Sequence, residues 1–269
     1  MATEPKEGFL KSGGYRIHYI LWGGSGLKLV FLHSMGMDAR GFDTISGALA
    51  KEYQVLALDI LDHGDSDTPM EPVGLRDHAE IMRDCYRQLG FYPNVLVGHS
   101  VGGMMGMVLA AEHPEDLMGL VLVDIAPFEM TGRPTRPPPP EHFADEEEAR
   151  RYFRERYPGF TPEAVENRMR HALTKDEKGR LKLKPTGTAI RPGLATDLWP
   201  YVEQVTAPTL MILGSESTLV TEETVKRMKR TLPELKVVTV RGATHMVPQD
   251  KPEEFEGHLR AFLEELLSG

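Results

Sequence analysis

The residues best suited to do chemistry lie in Gly98-His99-Ser100-Val101-Gly102, followed by Gly103. They separate an apolar, strand-like run (Asn94 to Val97) from a helix-like run (Gly103 to Ala111). A serine on a sharp strand-to-helix turn has an exposed hydroxyl, and glycines flank it because a Cβ would clash in so tight a turn. The start of the helix aims free N–H groups at developing negative charge. This is the pattern of a serine nucleophile that attacks a carbonyl.

A serine hydroxyl needs a base. His245 is the candidate, in Arg241-Gly242-Ala243-Thr244-His245-Met246, between the run Lys236 to Val240 and a last helix. Loops at the C-terminal ends of parallel strands converge on one edge of a sheet, so strand-end residues far apart in sequence can meet there. His99 flanks the serine but should point elsewhere, as structural support. Two backbone N–H groups are needed for the oxyanion. One is expected from Val101, directly after the nucleophile. The other is expected from Met35, in the turn His33-Ser34-Met35-Gly36.

These residues need elements to hold them. Short runs at Gly8 to Lys11 and Tyr15 to Trp22 read as strands, with Gly13-Gly14 as their turn. Lys28 to Leu32, Gln54 to Leu58, Asn94 to Val97, Leu117 to Val123, Thr209 to Leu213 and Lys236 to Val240 are continuous apolar runs of strand length. Helical patterns occupy Ala39 to Ala50, Leu75 to Leu89, Gly103 to Ala111, Glu222 to Leu232 and Pro252 to Leu267. Apolar strands alternating with helices predict an α/β fold with a mostly parallel central sheet covered on both faces. Between residues 126 and 200 the pattern breaks. A Pro137 to Pro140 run, the acidic Asp145 to Glu148 and ten arginines fall there, with helical pieces expected at Asp145 to Tyr157 and Thr161 to Leu173. The expected organisation is a core of residues 1–125 and 201–269 with residues 126–200 inserted as a cap.

Composition narrows the function. The 269 residues carry a formal charge of −9, which repels phosphate backbones and argues against nucleic acid as a partner. A single cysteine, Cys85, permits neither an intrachain disulfide nor a cysteine-rich metal site, and its apolar-periodic setting reads as buried helix. The N-terminus has no apolar signal segment, no run approaches a membrane span, and the expected location is cytoplasmic. There is no P-loop, no HExxH and no dinucleotide fingerprint, so no cofactor and no metal is expected.

Over essentially its full length the chain resembles the α/β-hydrolase fold family. The segments that carry the resemblance are FLHSMG, LALDILDHGDSD, VGHSVGG, LVLVDIAP, APTLMILG and RGATHMVPQDKPEEF. It implies an α/β-hydrolase fold, with a mostly parallel central sheet flanked by helices and a helical cap inserted after the sixth strand. The order serine, then histidine near the C-terminus, fits the family's order. LVDIAP, RYPGFTPEA, LATDLWP and GSESTLV are further similar to a subgroup of small carboxylesterases and C–N hydrolases of the 2-(acetamidomethylene)succinate hydrolase type, which cleave an enamide. That similarity places Tyr157 in the wall of the pocket and offers Arg136 as an anion-binding residue of the cap.

Departures from the family pattern matter more than the matches. Ser34 stands where a glycine usually follows His33, and is expected either to narrow the oxyanion turn or to add a hydroxyl to the pocket. Asp62 replaces a common glycine before His63. The family usually carries its acid in a G-x-x-D pattern after the strand Thr209 to Leu213, but here Gly214-Ser215-Glu216-Ser217 leaves Ser217 at the aligned position. Without an acid the histidine loses tautomer control and stabilisation of its charge. Asp124 supplies one from the end of the strand after the nucleophile helix, where some family members place theirs. Glu216 is the alternative acid, and Ser217 is expected to support the Asp124–His245 pair or bind substrate. The resulting expectation is a Ser-His-Asp hydrolase that cleaves a small carboxylic ester through an acyl-enzyme, as a monomer or homodimer. The alternatives are amide or enamide hydrolysis of a carboxylated metabolite, C–C bond hydrolysis, and a slow-turnover ligand-binding protein on the same scaffold.

Overall fold

The computed structural model describes residues 4–127, 137–188 and 194–268. Its strands are β1 (Lys6–Ser12), β2 (Tyr15–Trp22), β3 (Lys28–Leu32), β4 (Gln54–Leu58), β5 (Asn94–His99), β6 (Leu117–Val123), β7 (Leu173–Lys175), β8 (Leu181–Leu183), β9 (Thr209–Gly214) and β10 (Lys236–Val240). Eight of them form one sheet in the order β1-β2-β4-β3-β5-β6-β9-β10. β1 and β2 pair antiparallel, as do β2 and β4. The contiguous block β4-β3-β5-β6-β9-β10 is parallel. The C-terminal ends of β3, β5, β6, β9 and β10 therefore lie side by side along one edge.

The parallel strands are apolar on both faces because both are covered. On one face Leu56, Leu58, Leu96, Leu120 and Leu122 pack with α2 (Leu75–Gln88) and α3 (Val101–Glu112). On the other, Phe31, Val97, Val121 and Ile212 pack with α1 (Asp43–Leu49) and the C-terminal helix α9 (Pro252–Ser268). Every residue of α3 from Val101 to Ala110 is buried, as expected for a helix apolar all round. Cys85 is fully buried on α2, where loss of solvent pushes its thiol up to about 12.

The segment after β6 forms α4 (Glu146–Arg156), α5 (Pro162–His171) and a β7–β8 hairpin. Its helices start where the sequence supplies caps. The Asp145 carboxylate accepts the Glu148 N–H, and the Thr161 hydroxyl accepts the Ala164 N–H. Phe153, Val165 and Ala172 give this cap a small core of its own. Sequence reading expected a purely helical cap. It missed the hairpin because strands of three residues carry no legible period. It also missed the short helices α6 (Trp199–Val202) and α8 (Val247–Asp250), and between them lies the well-capped α7 (Glu222–Thr231). Among the described residues, no helix is long and apolar enough to cross a membrane.

Candidate active site

β5 ends at His99 and α3 begins at Val101, so Ser100 alone makes the turn. It does so at φ 53° and ψ −115°, in a region that L-residues rarely occupy. The surroundings over-determine that backbone. Its N–H donates to the Val123 carbonyl at 3.1 Å, and its own carbonyl accepts the Met104 N–H at 3.0 Å. A Cβ on Gly98 would come within 2.5 Å of the Gly102 carbonyl oxygen, and one on Gly102 would overlap the Leu32 carbonyl. The spacing of the glycines thus reflects how closely the elbow presses on β3.

Three non-glycine residues among those described have positive φ: Asp62, Ser100 and Asp124. Strained backbone of this kind clusters at functional sites. Asp62 explains one departure from the family pattern, since it adopts the glycine-like conformation (φ 63°) and its carboxylate accepts the Thr68 hydroxyl at 2.8 Å. Asp124, at φ 47°, follows β6 directly, and its N–H donates to the Ile212 carbonyl at 2.8 Å.

The Asp124 carboxylate is 1% exposed and fully engaged. Oδ1 accepts the Gly214 N–H at 3.0 Å. Oδ2 accepts the Ser217 hydroxyl at 2.5 Å and His245 Nδ1–H at 2.7 Å. Ser217, at the family's usual acid position, therefore donates to the Asp124 carboxylate. Glu216 is a correction to the alternative reading. Its N–H is tied to the Ala243 carbonyl and its exposed carboxylate accepts the Ser215 hydroxyl, so it is not brought to His245. The loop turns it outward.

His99 buttresses His245 from below. Its Nε2–H donates to the His245 carbonyl at 2.8 Å, with ring centroids 5.0 Å apart. Burial holds His99 well below the ordinary histidine value, so it stays a neutral donor. The His245 ring is 30% exposed.

Opposite the elbow, the Met37 N–H donates to the Ser34 carbonyl at 3.0 Å and closes a turn with Met35 and Gly36 at its centre. Gly36, third in the turn, has the φ of +80° that a type II turn requires there. The core pins both flanks. His33 donates Nδ1–H to the Ser34 carbonyl at 2.9 Å, while its Nε2 accepts the Ile60 N–H at 2.9 Å. Asp59 accepts the Ala39 N–H at 2.7 Å. Burial lowers the pKa of His33, which keeps Nε2 available as an acceptor. The Ser34 side chain faces inward. Its side chain is 1% exposed and its hydroxyl contacts Met246 Sδ at 3.9 Å, so it joins this turn to the His245 loop and does not line open space.

Residues of the segment after β6 face the turn across a cleft. A cleft of about 350 Å³ runs between Met35 and Gly36 on the core and Tyr152, Tyr157, Arg156 and Thr186 on the cap. Tyr157 stacks on Phe160 with centroids 4.5 Å apart, and its hydroxyl lies 3.6 Å from where a Gly36 Cβ would sit. Arg136 lies outside the described residues. Sequence reading missed Arg168, which is 3% exposed on α5 and pairs with Asp38 Oδ2 at 2.7 Å. Nothing in the sequence distinguishes it from the other cap arginines, because its partner is 130 residues away.

Comparison with known proteins agrees with this fold. Residues 29–257 match the model of the "Alpha/beta hydrolase family". A 2-(acetamidomethylene)succinate hydrolase of Mesorhizobium japonicum is 28% identical, with 86% of this chain and 85% of the relative covered. An sn-1-specific diacylglycerol lipase of Mus musculus is 29% identical, with 87% and 80% covered. The crystal structure of an E-2-(acetamidomethylene)succinate hydrolase superposes with a TM-score of 0.88 at 25% identity, covering 97% of this chain and 100% of that one.

Proposed function

The chain belongs to the alpha/beta hydrolase family, and from that premise we propose that it is a serine hydrolase that cleaves a small carboxylic ester through an acyl-enzyme. The observation that carries the reading is the bond of 2.7 Å between His245 Nδ1 and the buried Asp124, beside a serine held in a strained elbow. With Nδ1 committed to Asp124, Nε2 is the ring nitrogen left to act as base. Ser100 Oγ attacks the carbonyl carbon as His245 Nε2 takes its proton. Asp124 holds the tautomer and stabilises the imidazolium. The N–H groups of Met35 and Val101 bind the tetrahedral oxyanion. His245 then returns the proton to the leaving alkoxide, which departs as alcohol. A water loses a proton to His245 and attacks the acyl carbon, and collapse restores Ser100 and releases the acid.

Residues 126–200 act as the cap that selects the substrate, with Tyr157 in the cleft wall. A second reading, hydrolysis of a C–N bond in a carboxylated metabolite, is favoured by Arg156 in the same wall and by the resemblance to hydrolases of 2-(acetamidomethylene)succinate. The test is hydrolysis of 4-nitrophenyl esters from acetate to octanoate by wild type and Ser100→Ala, alongside release of acetate from 2-(acetamidomethylene)succinate. Ester turnover in wild type, falling roughly 10⁴-fold or more in the variant, is expected. A kcat/KM for the enamide two orders of magnitude above that for any ester moves the assignment to C–N cleavage. Absence of Ser100-dependent turnover on either substrate overturns both readings.

A further inference from the structure

We propose that Arg168, a residue of the cap, is a positioning residue for the oxyanion turn, so that docking of the cap completes the catalytic geometry as well as enclosing substrate. The inference rests on the proposed role of Met35 as an oxyanion donor.

The core holds the first half of the turn through the Ser34 carbonyl, which also accepts the Met37 N–H, and the chain after it through the Asp38 carbonyl, which accepts the Gly41 N–H. His33 fixes the Ser34 carbonyl and Asp59 fixes the Ala39 N–H. Between them lie Met35, Gly36, Met37 and Asp38. Gly36 sits at φ +80° with no side chain to wedge it in place. Glycine is the residue least restrained in backbone, and the peptide that follows it is held on the core side by one bond, from the Met37 N–H to the Ser34 carbonyl. Arg168 grips it from the cap. Its Nη2 donates to the Gly36 carbonyl at 3.4 Å, while Nη1 donates to Asp38 Oδ2 at 2.7 Å. One planar guanidinium therefore spans the second half of the turn.

The guanidinium is held through Nη1 and Nη2, while its buried Nε has no hydrogen-bond partner among the described residues. Both partners of the ion pair are nearly excluded from solvent, at 4% and 5% side-chain exposure. The guanidinium carbon lies 5.9 Å from the centre of the Phe153 ring, in the cap's own core. The supporting helix α5 is seated on the core at two further points. Asn167 donates to Asp43 at 3.1 Å, and the Thr161 N–H donates to the Gln249 carbonyl at 3.2 Å. The second contact lies on the short helix that follows His245. One cap helix thus touches the turn that carries Met35 and the segment that carries His245. A lysine at 168 keeps the charge but has a single nitrogen, so it cannot span Asp38 and Gly36 with the same rigid fork.

Catalysis by aimed N–H groups is sensitive to small displacements, and about 1 Å of misplacement costs on the order of 10²-fold. The test uses the full chain with 4-nitrophenyl acetate, a substrate too small to need the cap for binding. Arg168→Met is expected to lower kcat by roughly 10²-fold with KM changed by less than about threefold. Affinity for a trifluoromethyl ketone, whose serine adduct carries an oxyanion, should fall by the same factor as kcat/KM. Arg168→Lys should fall between wild type and Arg168→Met.

A merely structural clamp predicts something different: a lower thermal midpoint, with unchanged kcat and ketone affinity in the folded fraction. That result overturns the proposal, as does full wild-type kcat in Arg168→Lys. If Arg168→Met does not fold, the lysine variant and Asp38→Asn decide the matter by the same kcat and ketone readouts. Wild-type turnover that depends on Ser100 but is indifferent to all three substitutions refutes this inference alone. Absence of wild-type turnover on any ester or on the enamide removes the proposed function and this inference with it.

Discussion

The strand ends that carry Ser100 and Asp124 and the surface on which the cap rests are built by different means. At the strand ends the backbone does the placing. Ser100 and Asp124 both sit at positive φ, and each is locked by main-chain bonds to a neighbouring strand. Under the cap, side chains do most of the placing. Arg168 reaches Asp38, Asn167 reaches Asp43 and Lys184 reaches Asp65. Among the described residues three backbone bonds join them, from Gly64 N–H to the Pro185 carbonyl, from Gly187 N–H to the Asp62 carbonyl and from Thr161 N–H to the Gln249 carbonyl. A sheet whose strands are paired on both sides can hold strained residues, because relaxing them would break several bonds at once. A buried ion pair gains little net stability, but losing one partner strands a charge. The first region gives a fixed geometry. The second gives a docking that is specific and adjustable.

The comparison is broken most sharply by moving the acid. Asp124→Asn is expected to lower kcat by roughly 10³-fold or more, while Glu216→Gln changes it by less than about twofold. The reverse ranking in steady-state kinetics would sink the assignment of the acid. Because Ser217 Oγ lies 2.5 Å from the Asp124 oxygen that holds His245, the double variant Asp124→Asn, Ser217→Asp should regain at least about tenfold of the loss. No recovery would mean that the end of β9 is too far from His245 to substitute for the end of β6.

A smaller effect separates the support from the acid itself. Ser217→Ala removes one of three donors to Asp124 and should lower kcat by about tenfold, with KM unchanged. A loss as large as that of Asp124→Asn would place Ser217 in the chemistry, not behind it.

The cap surface is probed through pH. Burial pushes the Asp43 carboxyl up to about 6, against the opposing effect of the Arg40 guanidinium. Asp38 raises it further, Asn167 lowers it by hydrogen bonding, and His171 lies 3.7 Å away. The folded state thus holds this proton more tightly than the unfolded chain, whose ordinary value is 3.8. The associated stability is fully present below about pH 4 and is lost as pH rises through about 6. Measured by urea unfolding, wild type should lose up to about 3 kcal/mol relative to Asp43→Asn between about pH 4 and pH 7.5. A difference independent of pH would show that Asp43 is solvated and that the cap surface is looser than described.

Legibility in the sequence follows the same division. The βα order, the sheet and the elbow around Ser100 were readable because strands buried on both faces leave apolar runs, and tight turns leave glycines. That His245 lies at this edge was readable from its position after the last strand. Asp124 and Glu216 both ended strands at the right edge, and only the direction of the loop after β9 separated them. The two readings of Ser34 could not be separated, because its neighbour Met246 lies 212 residues away. The β7–β8 hairpin was too short to show a period, and Arg168 was one of ten arginines in a charged segment.

What the sequence determined by itself, then, is everything encoded within a few residues of its own position: which runs become strands, where the chain must turn, and which side chains can exchange protons. Tertiary structure alone decided which of those side chains meet. It set Asp124 and not Glu216 against His245 Nδ1, put the Ser217 hydroxyl on the same carboxylate, turned Ser34 toward Met246, and laid Arg168 against Gly36 and Asp38. The physical reason is that hydrogen bonds and ion pairs depend on position within a few tenths of an ångström. For residues a hundred or more apart in the chain, that position is set by strand order and helix packing, which no local pattern records.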